Sequence, residues 1–305
     1  MNGPDADPPR PAGTSVARGL LLTVGGAFFA AVYLIPYKAA TELAPAEQVV
    51  LPMLLVAALL NTLPLLPLPW SRGPRLRWPT SLSLGVSGML GLISCLGNEA
   101  VARALAHIAP GITAVVLRTQ VVFVALGARL VLREPTTARF WIGVALALGG
   151  MAMLRWSGSA SALTVWGMTW ALVGASSFGS YQVVVRRFIH QIDPLLVNTL
   201  RLWMAAALLA LLPGRVASLA DASANLWALC AGAALAGPIL SRLLLMSALR
   251  HIPAALSSLA LFSQPVFAYL LAAPVFGVHP GALELAGCAV VLCGIALPAM
   301  EHLKS

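Results

Sequence analysis

Charge is what this chain has least of. Among 305 residues only 19 are Lys or Arg and 10 are Asp or Glu, so charged residues make up 10%, against about 25% in ordinary soluble domains. A surface built with so few charges would expose apolar patches large enough to aggregate, which excludes a soluble globular protein. Cysteine is also sparse. Cys95, Cys230, Cys288 and Cys293 all lie in apolar runs without metal-ligand spacing, so they are expected to be small packing residues and not a disulfide framework. No Ser-His-Asp set, His-Glu-x-x-His motif or Gly-rich phosphate loop occurs. An integral membrane enzyme therefore has no catalytic constellation behind it, ATP is not the direct drive, and no cofactor is expected.

Apolar residues are what the chain has in abundance: 59%, with a mean hydropathy of +0.89. A bilayer-crossing helix needs about 20 such residues. Runs of that kind fall near 19–38, 48–68, 80–101, 109–131, 138–155, 163–185, 195–213, 225–247, 252–275 and 281–299. Breaks such as Ser71-Arg-Gly-Pro74, Asp193-Pro194 and His279-Pro-Gly281 separate them. The expected fold class is an all-α integral membrane protein of ten transmembrane helices, since period-2 alternation for a barrel is missing. The Pro-rich residues 1–18 read as a disordered cytoplasmic tail, neither signal nor transit peptide, and residues 300–305 as a second cytoplasmic tail.

The net charge of +9 would suggest nucleic acid in a soluble chain. Here the basic residues sit in short loops, so they report orientation and no nucleic-acid partner is expected. With the N-terminus in the cytoplasm, that side collects Arg10, Arg18, Arg72, Arg75, Arg77, Arg129, Arg133, Arg139, Arg186, Arg187, Arg250 and Lys304. The opposite side holds Lys38, Arg103, Arg155 and Arg215. The positive-inside rule then puts both termini on the cytoplasmic side of a cell (inner) membrane. Trp70, Trp78, Trp141, Trp156, Trp166 and Trp227 fall near span ends, as an interfacial belt requires.

The chain also repeats itself. The stretch starting at Ala104 matches that starting at Ala248 without a gap, 144 residues on, pairing His107 with His251, Gln120 with Gln264, Phe123 with Phe267, Gly143 with Gly287 and Gly150 with Gly294. An offset of 148 pairs Gly19 with Gly167, Gly26 with Gly174, Tyr33 with Tyr181 and Lys38 with Arg186. Five spans per copy is an odd number, so the second copy must enter the membrane from the opposite face. Inverted repeats of this kind, 19–155 and 163–299, are the architecture of carriers that rock around a midplane site.

The residues that carry the repeat also resemble a known family. AHIAPGITAVVLRTQVVFVALGARLVLREP with GVALALGGMAML, and HIPAALSSLALFSQPVFAYLLAAPVF with GCAVVLCGIAL, look like the fourth and fifth helices of an EamA-type domain of the drug/metabolite transporter superfamily. The resemblance runs from about residue 18 to 299 and implies a ten-helix, two-repeat carrier of small metabolites. Two departures suggest that the halves have specialised. Arg133-Glu134 has no counterpart in the second copy, and Arg201 matches a basic position common in the superfamily where the first copy has Pro52.

Ionisable groups inside a bilayer are costly and usually face a cavity. Arg118 lies close to the centre of the fourth span, in the polar trio Arg118-Thr119-Gln120. Its planar, permanently charged fork suits an anionic group on a substrate; the structural alternative is a pair with Glu99 or with a freed helix carbonyl. Its counterpart in the second copy is Phe262, so the fold does not demand the charge. Asn98 and Glu99 lie toward the outer end of the third span, where Glu99 has open roles: recognising an amine, exchanging a proton, or pairing with Arg103. Gln120 and Gln264 stand equally for cavity lining or inter-helix hydrogen bonds, with Pro265 breaking the helix beside the latter. Tyr33 and Tyr181 could stack on substrate or close a gate, or simply pack.

Other polar and small residues have plainer expectations. Arg201 and Arg242 are expected to snorkel toward the cytoplasmic interface, Arg242 being the less settled. His107 and His251 are expected to cap helices more than to relay protons, and Gly85, Gly88, Gly91, Gly143, Ala147 and Gly150 to permit close helix packing. The function expected is alternating-access transport, as exporter or exchanger, of small carboxylate-bearing metabolites such as amino acids. Proton-coupled drug or metabolite efflux is the alternative. One deep cation favours a single carboxylate; a doubly charged group would want Arg201 or Arg242 as well. The expected partners are a small-molecule substrate and the lipid bilayer, with the chain a monomer or a homodimer.

Overall fold

The computed structural model describes residues 13–66, 79–107, 116–156, 165–276 and 282–304. The tail before residue 13, several linkers and the first part of the fourth expected span lie outside the described residues. Within them the chain is helical: α1 Gly13–Leu43, α2 Ala46–Thr62, α3 Ser81–His107, α4 Gln120–Gly127 with a π-helical turn Ala128–Leu132, α5 Ala138–Trp156, α6 Val165–Phe188 and α7 Pro194–Ala210. Then come α8 Ala224–Ala248, α9 in two pieces, Ala254–Ala260 and Ser263–Phe276, and α10 Ala282–Lys304.

Local chemistry sets the ends. Asp193 accepts a hydrogen bond from Leu196 N–H at 2.9 Å with Pro194 at the first helical position, which starts α7. Ser223 caps α8 in the same way. Arg133, with φ of 57°, closes the turn after α4 in the left-handed conformation.

Four helices are long and apolar enough to cross a membrane by length and composition: Ser15–Leu43, Glu47–Leu65, Ser81–Ala104 and Ala224–Ala248. Four shorter apolar helices lie in α5, α7, α9 and α10. With 24 residues α6 has the length, but Ser176, Ser177, Tyr181 and Gln182 dilute its apolarity. Large side chains such as Leu21, Leu59, Leu92, Leu130 and Ile142 remain exposed, an outward apolar surface suited to lipid and not to water. The chain is a multi-pass, all-helical membrane protein.

The packing pairs follow the sequence repeat. Helices α2 and α7 pack on each other, as do α5 and α10, and each is the other's counterpart at the offsets above. Helix α1 packs on α8 and α9, while its counterpart α6 packs on α3 and α4; α2 packs on α8, and α7 on α3. The α5–α10 seam shows how small residues permit this. A Cβ on Gly143 would come within 2.5 Å of Gly294 O, and one on Gly150 within 2.6 Å of Gly287 O. Contact partners thus run backwards along α10 as α5 advances, so the two helices are antiparallel and backbone nearly touches backbone. Gly91 meets α7 comparably closely, whereas Gly85 faces open space.

The α2–α7 seam is tied by polar groups. Asn61 Nδ2 donates to Thr199 Oγ1 at 2.7 Å, and Trp203 Nε1 to Thr62 Oγ1 at 3.0 Å.

Candidate functional site

Two prolines prepare the site. A proline has no N–H for the carbonyl four residues before it, so Pro265 leaves Leu261 O without its α-helical partner. That oxygen takes Gln264 N–H at 3.0 Å instead and, from the other side, Arg118 Nη1 at 3.3 Å. Of the two structural alternatives for Arg118, the freed carbonyl is the one realised, next to its own repeat counterpart Phe262. Pro238 lies in a π-helical stretch, Leu235–Ser241, inside α8. Its carbonyl accepts from Asn198 Nδ2 at 3.2 Å and from Arg201 Nη2 at 3.3 Å. Gly237 beside it admits the Tyr33 ring, which a Cβ would meet at 2.7 Å.

Arg201 does not snorkel. It is 3% exposed and lies midway along the 17-residue α7, with its donors engaged by Asn198 Oδ1 at 2.9 and 2.7 Å, Ser94 Oγ at 2.9 Å and Pro238 O. The interface is too far along the helix in either direction, and buried acceptors from α3, α7 and α8 substitute for water. Arg242 also turns inward. Its guanidinium carbon lies 4.9 Å from the Phe178 ring centroid and 5.0 Å from that of Tyr181, and Arg201 lies 5.3 Å from the same Tyr181 ring. Arg118 lies against the same helix α6, since its neighbours Leu117 and Gln120 face Gly174 and Gly179 on either side of Phe178.

Arg201 and Arg242 therefore meet at Tyr181, Arg118 lies along the same helix, and none of the three makes an ion pair among the described residues. The buried Tyr181 hydroxyl and Arg118 Nε have no hydrogen-bond partner there either, nor does the side-chain amide of buried Gln182. Buried polar atoms in proteins are seldom left so.

The other expected residues lie around this cluster or apart from it. Tyr33 stacks on Tyr37 at 5.0 Å. Gln264 Nε2 bonds Ala30 O of α1 at 3.1 Å, the inter-helix alternative. Gln120 is buried where α4 meets α6 at Gly179. Asn98 turns back on its own helix, Nδ2 to Ser94 O at 2.7 Å. Glu99 Oε1 takes Arg215 Nη2 at 2.5 Å and Arg103 Nε at 3.3 Å, and Arg215 also bonds Glu47 O. Arg103 is the partner expected for Glu99; Arg215 is one the sequence did not suggest.

At the opposite end of the bundle, Glu134 binds Arg186 at 2.7 Å and Ala254 N–H at 3.1 Å. His251 approaches Ser15 Oγ at 3.1 Å instead of capping a helix. A surface groove of about 300 Å3, lined by Leu65, Leu66, Leu196, Leu200 and Trp203, is apolar and belongs to the exterior of the α2–α7 seam.

Sequence reasoning favoured the interface for Arg201 and Arg242 and brought them to the site only for a doubly charged substrate. The available signal was their depth: each lies more than a turn inside an apolar helix.

Comparison with known proteins decides the family. The model of the EamA-like transporter family matches residues 17–156 and again 165–300. The chain belongs to the EamA-like transporter family. It is thus a membrane transporter of small molecules by family. No curated protein matches it significantly. Among solved structures, one crystal structure described only as that of a protein superimposes with a TM-score of 0.72 at 18% identity, covering 96% of this chain and 99% of its own. At that identity the likeness concerns the fold alone. Within this EamA-like fold, the arginine cluster joins the two matched stretches: Arg118 and Ser94 come from the first, Tyr181, Arg201 and Arg242 from the second.

Proposed function

We propose that this EamA-like transporter is an alternating-access carrier, an exporter or exchanger of small carboxylate-bearing metabolites. Its two five-helix repeats lie in opposite orientations, with both termini on the cytoplasmic face of the cell membrane. The observation that carries the reading is the meeting of Arg201 and Arg242 at Tyr181, with Arg118 on Leu261 O against the same helix, and no carboxylate partner for any of the three among the described residues. A cation at mid-bilayer costs about 2.5–3.5 kcal/mol or more, and three together are reasonable only where an anion completes them.

Two further features support it. Helix pairs recur in exchanged form under the repeat offset, which is what a two-fold relation between the copies produces; five helices in each would invert the second. Ion pairs also tie the copies together at both ends, buried Glu99–Arg215 at one and half-buried Glu134–Arg186 at the other. A rocking carrier would release them alternately.

The test is counterflow in proteoliposomes, in which unlabelled substrate trapped inside drives uptake of a labelled pool. Transient accumulation that disappears in Arg118→Gln supports the reading, and unchanged uptake of every anion in that variant refutes the site. An imposed proton gradient separates the alternative. Glu99 is already held by two arginines, so flux insensitive to the gradient is expected; gradient-driven flux would favour proton-coupled efflux.

A further inference from the structure

We infer that the substrate is a small organic dianion that carries no amine. This rests on the carrier reading for its location, and narrows the carboxylate-bearing class proposed there. The three arginines are not equivalent. Arg201 uses its donors within the protein, on Asn198, Ser94 and Pro238, so it contributes charge and little further hydrogen bonding. Arg118 uses one donor, on Leu261 O, and its buried Nε has no partner. Arg242 makes no hydrogen bond among the described residues and rests on the faces of Phe178 and Tyr181. Two guanidinium forks thus have free N–H groups, both against α6, and the unpartnered Tyr181 hydroxyl belongs to the ring that Arg242 covers.

A guanidinium binds a carboxylate or phosphate through two parallel N–H bonds. Two such forks match two carboxylates on a short chain, or one phosphate monoester held from both sides. The shared chemistry is two negative charges within a compact molecule. A monocarboxylate leaves one fork empty and two positive charges uncovered. A zwitterionic amino acid adds an ammonium to three like charges, and the carboxylates that could receive it are engaged: buried Glu99 by Arg103 and Arg215, half-buried Glu134 by Arg186 and Ala254 N–H.

The experiment is a thermal-shift titration of the purified full chain in lipid nanodiscs. Succinate, glycerol 3-phosphate, lactate and alanine are compared at matched ionic strength, since a ligand that binds the folded state raises its midpoint. At least one dianion should raise the midpoint clearly more than lactate, and alanine should leave it unmoved. Which dianion acts distinguishes a dicarboxylate from a phosphate monoester. Arg242→Met should weaken the dianion's apparent affinity roughly tenfold or more, the worth of one lost charge-assisted contact. Arg242→Lys, which keeps the charge and loses the fork, should fall between. No shift from either dianion, or a larger one from alanine or lactate, overturns the inference. Dianion binding without proteoliposome flux would leave it standing and refute the carrier reading; alanine flux without dianion binding would do the reverse.

Discussion

Replacing Arg242 by methionine should make the empty protein more stable and the liganded one less so. The charge of Arg242 is buried beside two others. Arg201 and Arg242 each lie within 5.3 Å of the Tyr181 ring centroid, so their guanidinium carbons are roughly 10 Å apart at most, and at an effective dielectric of 20 they repel by about 1.7 kcal/mol or more. Holding the cation inside the membrane costs about 2.5–3.5 kcal/mol besides. Against this, the contacts with Phe178 and Tyr181 return about 0.5–2 kcal/mol each. Methionine keeps the apolar volume without the charge. The terms sum to between about 0 and 4 kcal/mol in favour of Arg242→Met, about 2 kcal/mol at the centre, a rise of about 4–8 °C in the apparent midpoint. Differential scanning fluorimetry in nanodiscs reads it directly. A variant less stable than the parent in the absence of ligand would refute the reasoning, because it would make Arg242 a structural cation with a partner that the cluster geometry does not include.

Glycine at the α5–α10 seam should be intolerant in one register and indifferent in the next. Gly150→Ala places a Cβ 2.6 Å from Gly287 O and 2.8 Å from Val291 N, backbone atoms that cannot yield, and should cost about 1–3 kcal/mol. Gly149→Ala, with nothing within 4 Å, should be neutral or stabilising by up to about 1 kcal/mol; thermal midpoints of the pair check both. Glu99→Gln breaks a buried ion pair and leaves Arg215 uncompensated, a loss of about 3–5 kcal/mol in a fully buried setting and less here, measurable by the same assay. His251 lies in the turn before α9, and partial desolvation and then Arg18, Arg250 and His190 hold its pKa below the usual 6.5. A group whose folded pKa is depressed in this way keeps its neutral form in the native state. Stability should therefore fall as pH drops below about 6.5, and His251→Gln should reduce that dependence.

Much of this was readable from the residues in order, because the bilayer makes composition decisive. The helical class followed from apolar run length. Gly143 and Gly150 were legible as close-packing positions, though not that α10, their repeat counterpart, is what they pack against. Arg118 stood out as a charge in an apolar helix with a freed helix carbonyl among its open partners, but that Pro265 frees the one at Leu261 came only from the structure. What stayed hidden was tertiary. Nothing near Arg201 in sequence, apart from Asn198, says that Ser94 of α3 and Pro238 O of α8 receive it. Arg242 points inward because Phe178 and Tyr181 of α6 face it, a fact of helix rotation that apolar periodicity does not record. The Glu99–Arg215 pair joins residues more than a hundred positions apart, beyond the reach of any local spacing rule.

The account stands or falls on whether the arginine cluster binds what the protein moves. Counterflow of labelled succinate and glycerol 3-phosphate, measured in proteoliposomes of the parent and of the Arg118→Gln/Arg242→Met double variant, tests that most directly. The prediction is carrier-mediated accumulation of one of these dianions by the parent and none by the variant. Equal accumulation by both, or accumulation of neither dianion beside active uptake of alanine, would contradict it.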